Sequence, residues 1–152
     1  MRRLLPGALC ILTALLSTPL FAADSGAQAL DNAFVKGIKA GDIEAVVALY
    51  APDAMLYPPG EMAAKGRDAI RAVWGGFLSA NTVAECRLYE TGYKTSGDTS
   101  IGWGRFSMTL QAKAGGAAAT LEGRFTDVAV KKGGKWHYIL DHASAPLPPP
   151  PK

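Results

Sequence analysis

The chain has 152 residues and carries 16 Lys and Arg against 13 Asp and Glu, a formal charge of +3. That length suits one domain around one core. A charge this small excludes a nucleic-acid or anionic-membrane surface as the main business of the protein.

Arg2 and Arg3 precede a mostly apolar run, Leu4 to Leu16, broken by Pro6 and Gly7. Ser17-Thr18-Pro19 then leads into Leu20-Phe21-Ala22-Ala23. Basic, apolar, then small is the order of a secretory signal. The run is shorter than the roughly 20 residues that a membrane-spanning helix needs. Residues 1–22 are therefore expected to be a cleaved signal peptide and the mature protein to be periplasmic or secreted. Cys10 follows Leu9, where a lipidation site takes a small residue, and the paired arginines lack twin-arginine flanks. Cleavage leaves 152 − 22 = 130 residues with 14 basic and 13 acidic groups. No nucleic-acid partner is expected, and no membrane association after the signal is removed. Cys86 is then the sole cysteine, so no intramolecular disulfide forms and the thiol is expected in the core.

In the mature part, residues 24–28 read as a polar lead. Leu30, Ala33, Phe34, Gly37 and Ile38 recur at helical spacing. Gly41 is placed to end that helix and Asp42 to cap the next. Ile43, Val46, Val47 and Tyr50 continue the helical period up to Pro52. Ala54 to Tyr57 reads as a short strand closed by Pro58-Pro59-Gly60, and a third helix presents Ile70, Val73, Trp74, Phe77 and Leu78 on one face.

After Asn81 the period falls to two, with Ala84, Cys86 and Leu88 alternating with Glu85, Arg87 and Tyr89. Ser96-Gly97-Asp98, Gly115-Gly116 and Lys132-Gly133-Gly134-Lys135 supply turns between four strands. The second strand carries Phe106, Met108 and Leu110 on one side, the third runs from Leu121 to Val130, and the last from Trp136 to Ala145. Three helices followed by an antiparallel meander is an α+β layout. The proline-rich end has nothing to bury and is expected to be an extended tail. The sequence thus divides into a signal (1–22), one domain (23–147) and a tail (148–152).

Three stretches resemble a known family. Lys39 to Ala45 followed by Leu49 to Ala54 is similar to the helix-to-strand passage of SnoaL-like and ketosteroid-isomerase-like proteins. Gly66-Arg67-Asp68-Ala69-Ile70 resembles the opening of their third helix. Gly134-Lys135-Trp136 through Asp141-His142-Ala143-Ser144-Ala145-Pro146 resembles the closing strand of the DUF4440 branch. The resemblance implies the NTF2-like (cystatin-like) cone: three N-terminal helices packed on a strongly curved antiparallel sheet, with a hollow between them for a small molecule. It also implies a homodimer made through the sheet. Matched to the ketosteroid isomerases, the catalytic base position falls at Tyr57 or Pro58, the helix tyrosine becomes Phe34, and the strand aspartic acid falls at Asp127. The proton-abstracting carboxylate and half of the oxyanion hole are absent, so steroid isomerisation is not expected.

Strand parity puts Asp127 on one face with Leu121, Phe125 and Ala129, where desolvation would raise its pKa. The competing reading is a buried acid satisfied by a tyrosine or a backbone group. The family alignment turns Ile139, Asp141 and Ala143 inward and Tyr138, Leu140 and His142 outward. Asp141 beside Asp127 would form a like-charged pair able to share a proton. His142 is a proton-transfer candidate by residue type, or else a hydrogen-bonded residue at a dimer contact. Asp127, Asp141 and His142 are thus the catalytic candidates. Phe34, Tyr50, Tyr57, Trp74, Phe77, Trp103 and Phe106 are the candidate ligand-binding residues, although rings more often fill cores.

His137 and His142, five apart on one strand, are expected to face opposite ways, and no histidine–cysteine cluster suggests a metal. There is no nucleophile elbow, phosphate-binding loop or dinucleotide fingerprint, so no cofactor is expected. The expected function is a pocket that binds a small apolar or aromatic molecule. The alternatives are a cofactor-free isomerase, cyclase, dehydratase or hydrolase, and a dimeric interaction module.

Overall fold

The computed structural model describes residues 26–146. The expected signal peptide and the tail at 148–152 lie outside them. Helix α1 (Ala27–Ala40) carries the expected apolar stripe, and Gly41 ends it at φ 67°, a left-handed conformation that glycine adopts without a Cβ clash. The Ala45 amide donates to the Asp42 side chain at 3.0 Å, which starts α2 (Ile43–Ala48). The start of α1 is tied to the sheet, since the Ala27 amide donates to Ser100 Oγ at 3.0 Å.

Tyr50 departs from the sequence expectation. It does not extend α2 but opens β1 (Tyr50–Tyr57), which contains Pro52. The proline falls where the pairing of β1 slips, between Tyr50 and Met55, a place where a strand can lack a ladder donor. A two-residue strand, β2 (Ala64–Lys65), pairs with β1. Helix α3 (Arg67–Ala80) runs directly into β3 (Asn81–Ser96). Three hairpins then connect β4 (Thr99–Ala112), β5 (Ala119–Lys132) and β6 (Lys135–Ser144).

The six strands form one sheet in the order β2-β1-β6-β5-β4-β3. Its pairings are antiparallel except for β1 with β6, which is parallel. Bulges bend the long strands, and each extra residue reverses the alternation beyond it. Between Val83 and Glu85 the register shifts, so Val83, and not Ala84, is buried with Cys86.

The second such correction lies in β6. Val128 pairs with Leu140 but Ala129 with Tyr138, leaving Ile139 as the extra residue. Tyr138 therefore faces the same way as Asp141 and Ala143. His137 and His142, neighbours of these inward residues, both fall on the outer face and not on opposite ones.

Ile38, Val46, Tyr50, Leu56 and Ile70 are fully buried and join α1, α2, α3 and β1 in a single core with the sheet. Among the described residues no helix is long and apolar enough to cross a membrane.

Candidate functional site

Between α1, α3 and the concave face of the sheet lies a cavity of about 510 Å³, within the range of small-molecule sites. One wall is aromatic. Phe34 meets Trp74 edge-on with centroids 5.1 Å apart, and Trp74 meets Phe77 at 5.9 Å. Phe106, Met108 and Phe125 line the cavity from the sheet, and Pro58 and Pro59 from the turn after β1.

The far end is acidic. Asp31 from α1, Asp127 from β5 and Asp141 from β6 all line the same hollow. Asp127 and Asp141 are directly opposed in the β5–β6 register, which brings same-face side chains to about 4.5–5.5 Å between Cβ atoms. The two predicted acids therefore share one pocket.

The three carboxyls differ in how they are satisfied. Asp31 accepts from the Tyr138 hydroxyl on Oδ1 and from the Tyr93 hydroxyl on Oδ2, the latter at 3.0 Å. Asp141 accepts on Oδ2 from the Tyr50 hydroxyl at 2.6 Å, and Trp74 Nε1 donates to that hydroxyl at 3.3 Å. Asp127 is 1% exposed, and neither of its oxygens has a well-aligned hydrogen-bond partner; against burial, the nearby Gly102 amide lowers its pKa only weakly. Its polar neighbour is the Asp31 carboxyl, another acceptor, so a bond between the two exists only with a proton in it. The carboxyl sits where a side chain at residue 102 would lie: a Cβ on Gly102 would fall 2.6 Å from Asp127 Oδ2.

Burial is the main cause of unusual protonation here. It pushes the Asp127 carboxyl up to about 8, with the charges of Asp31 and Asp141 adding to it. Burial lifts Asp31 to about 6 against the lowering effect of its two tyrosine hydroxyls. Asp141 is raised by burial and partly relieved by Tyr50. Burial, reinforced by the neighbouring acids, holds the Tyr50 and Tyr138 hydroxyls far above the usual tyrosine value, so both remain donors. At neutral pH the Asp31–Asp127 pair accordingly keeps a proton, carried by Asp127.

The structure sorts the sequence candidates. Phe34, Trp74, Phe77, Phe106, Asp127 and Asp141 line the cavity, and Tyr50 supports it from behind through Asp141. Three candidates are corrected. His142 is exposed on the outer face, its ring 6.0 Å from that of Tyr57. Tyr57 pairs with His142 across β1 and β6 and is 41% exposed. Trp103, 45% exposed, lies over Gly92, where a Cβ would come within 2.4 Å of its ring. In each case strand alternation turns the side chain away from the hollow.

Two residues escape the sequence reading. Asp31 lies four residues after Ala27, three before Phe34 and seven before Ile38. It therefore belongs to the apolar face of α1, a signal visible when polar residues are placed on the helix as well as apolar ones. Tyr138 is concealed by the bulge at Ile139. Among the described residues no group of His, Cys, Asp or Glu is arranged to hold a metal ion.

A fold and site of this kind define a helix-and-sheet cone with an acid-floored hollow, and sequence comparison gives it a family. Residues 32–139 match the model of the SnoaL-like domain, and the chain belongs to that family. None of the curated proteins matches it.

Solved structures share the NTF2-like, cystatin-like fold. One is a candidate calcium/calmodulin-dependent protein kinase II association domain from Xanthomonas campestris, with 27% identity and TM-score 0.70, covering 82% of this chain and 90% of that one. A ketosteroid isomerase-like protein from Erwinia carotovora aligns at 24% identity and TM-score 0.69 over 79% and 93% of the two chains. A candidate scytalone dehydratase from Novosphingobium aromaticivorans aligns at 14% identity and TM-score 0.69 over 78% and 80%.

Proposed function

We propose that this chain is an exported pocket protein that binds a small apolar or aromatic molecule between its helices and its sheet. The observation that carries this reading is the cavity of about 510 Å³ with its Phe34–Trp74–Phe77 wall. Ring-lined hollows with a few convergent polar groups are the usual form of a small-molecule site. The test is a thermal-shift screen with ring compounds on the purified protein. Stabilisation is expected from several of them, and no response to any ring compound refutes the reading. Export rests on the basic, apolar, small order of residues 1–22, and the N-terminal mass of the protein recovered from the producing cells tests it.

A second reading is a cofactor-free isomerase, cyclase, dehydratase or hydrolase. The cross-strand pair of Asp127 and Asp141 favours it, since a protonated acid beside a second carboxyl suits general acid–base work. The names of the isomerase-like and dehydratase-like structures point the same way. Its outward position removes His142 from this mechanism. Asp127→Asn should abolish any turnover found while leaving ring binding in place, and unchanged turnover refutes the assignment.

A homodimer through the outer sheet face is supported by one apolar row in register, Met55, Leu140, Val128 and Ile101, flanked by a mixed row of Tyr57, His142, Thr126 and Trp103. Light scattering at micromolar concentration should give twice the chain mass, and a monomer refutes it.

A further inference from the structure

The direction of the hydrogen bonds in the cavity decides what polar group its guest brings. The donors at the acidic end are already engaged. Trp74 Nε1 donates to Tyr50, Tyr50 to Asp141 Oδ2, and Tyr138 and Tyr93 to the two oxygens of Asp31. What remains at that end is acceptor capacity on Asp141 and on Asp127, the latter tucked against Gly102 at the edge of the hollow. Asp141 keeps Oδ1 without a side-chain donor, and both oxygens of the buried Asp127 lack one. Among the described residues no lysine, arginine or histidine lines the cavity, whereas Glu61 adds a fourth carboxyl to the lining.

A buried acceptor without a donor costs about 1–3 kcal/mol, so a guest that supplies N–H groups and positive charge relieves the site most. The rings of Trp74, Phe34 and Phe77 favour the same guest, because their faces attract cations. The described carboxyls form no metal-binding group, and the hollow has room for an organic body. We infer that the cavity selects a protonated amine on an apolar or aromatic body, its N–H groups donated to Asp141 and to Asp127 once that carboxyl turns from Gly102 towards the guest. The inference rests on the pocket reading above and adds the charge class of the ligand.

It runs against the logic of a carbonyl-binding site, in which protein donors point at a ligand oxygen. Here the donors point at the protein's own acids. Binding an ammonium group favours the carboxylate form of Asp127, so the proton that this acid holds at neutral pH is released to solvent. The titratable groups facing Asp127 are Asp31 from α1, Asp141 and Tyr138 from β6, Tyr50 from β1 and Tyr93 from β3. The three tyrosines keep their protons, and the acids carry the pH dependence. Affinity therefore rises from slightly acidic to slightly alkaline pH for as long as the amine stays charged.

Titration calorimetry with naphthylethylamine, naphthylethanol and naphthylacetate tests this on the intact protein. The amine is expected to bind at least about tenfold more tightly than the alcohol, with naphthylacetate weakest. Protons are expected to be released on amine binding, measured by repeating the titration in buffers of different ionisation enthalpy. Asp127→Asn and Asp141→Asn should each bring the amine-to-alcohol preference towards one. That ratio is taken within each variant, so alcohol binding reports that the pocket is still formed. An alcohol that binds as tightly as the amine to the unaltered protein overturns the inference and leaves the pocket reading standing. Failure of all three compounds to bind overturns both.

Discussion

Asp127→Asn should make the protein more stable, and the gain should depend on pH. The native state holds the Asp127 proton up to a pH of about 8, whereas the unfolded chain releases it near 3.8. A native pKa above the unfolded one means that stability is complete in acid and falls as pH rises through that interval. At about 1.4 kcal/mol per pH unit the interval amounts to roughly 6 kcal/mol, and sharing of the proton with Asp31 makes the part belonging to Asp127 about 3–6 kcal/mol.

Asparagine has the same shape, cannot ionise, and offers an N–H to Asp31 in place of the shared proton. The variant and the parent should therefore agree within about 1 kcal/mol near pH 4 and diverge by about 3–6 kcal/mol at pH 8. Urea unfolding followed by tryptophan fluorescence measures this. With a slope of about 1–3 kcal/mol per molar, the midpoint at pH 8 should rise by more than about 1 M. Parallel pH profiles for the two proteins would refute the placement of a buried, proton-holding acid at this position.

Four further outcomes follow from the same geometry. Gly102→Ala forces a methyl group against the Asp127 carboxyl and should cost about 1–3 kcal/mol, seen as a lower urea midpoint; the double variant Gly102→Ala with Asp127→Ala should recover part of that loss. Tyr138→Phe removes a donor from Asp31 and should destabilise by about 1–3 kcal/mol, with the larger effect above pH 6, where Asp31 is ionised. Cys86 is 3% exposed and burial pushes its thiol up to about 11, so a thiol reagent should label it slowly in the native protein and rapidly in urea. If the outer face pairs, Ile101→Asp should convert dimer to monomer by light scattering without lowering ring-compound binding.

Much of this molecule is present in local sequence. The helical stripe of α1, the stop at Gly41, the cap at Asp42 and the glycine turns between long alternating strands follow from backbone conformation and side-chain period, which act over a few residues. They also place Asp127 inward with Phe125 and Ala129, because no bulge interrupts β5 between them. What tertiary structure alone decides is which faces meet. One extra residue at Ile139 turns Tyr138 into the site, and strand pairing turns Tyr57 outward, along with Trp103 on β4, whereas the outward turn of His142 already followed from the alternation read in the sequence. The meeting of Asp31 with Asp127 and Asp141 joins residues about a hundred positions apart, so no local period can report it. Nor can sequence show that the tyrosines satisfy two of these acids and leave the third without a donor, since that depends on hydroxyl positions set by packing across the whole sheet.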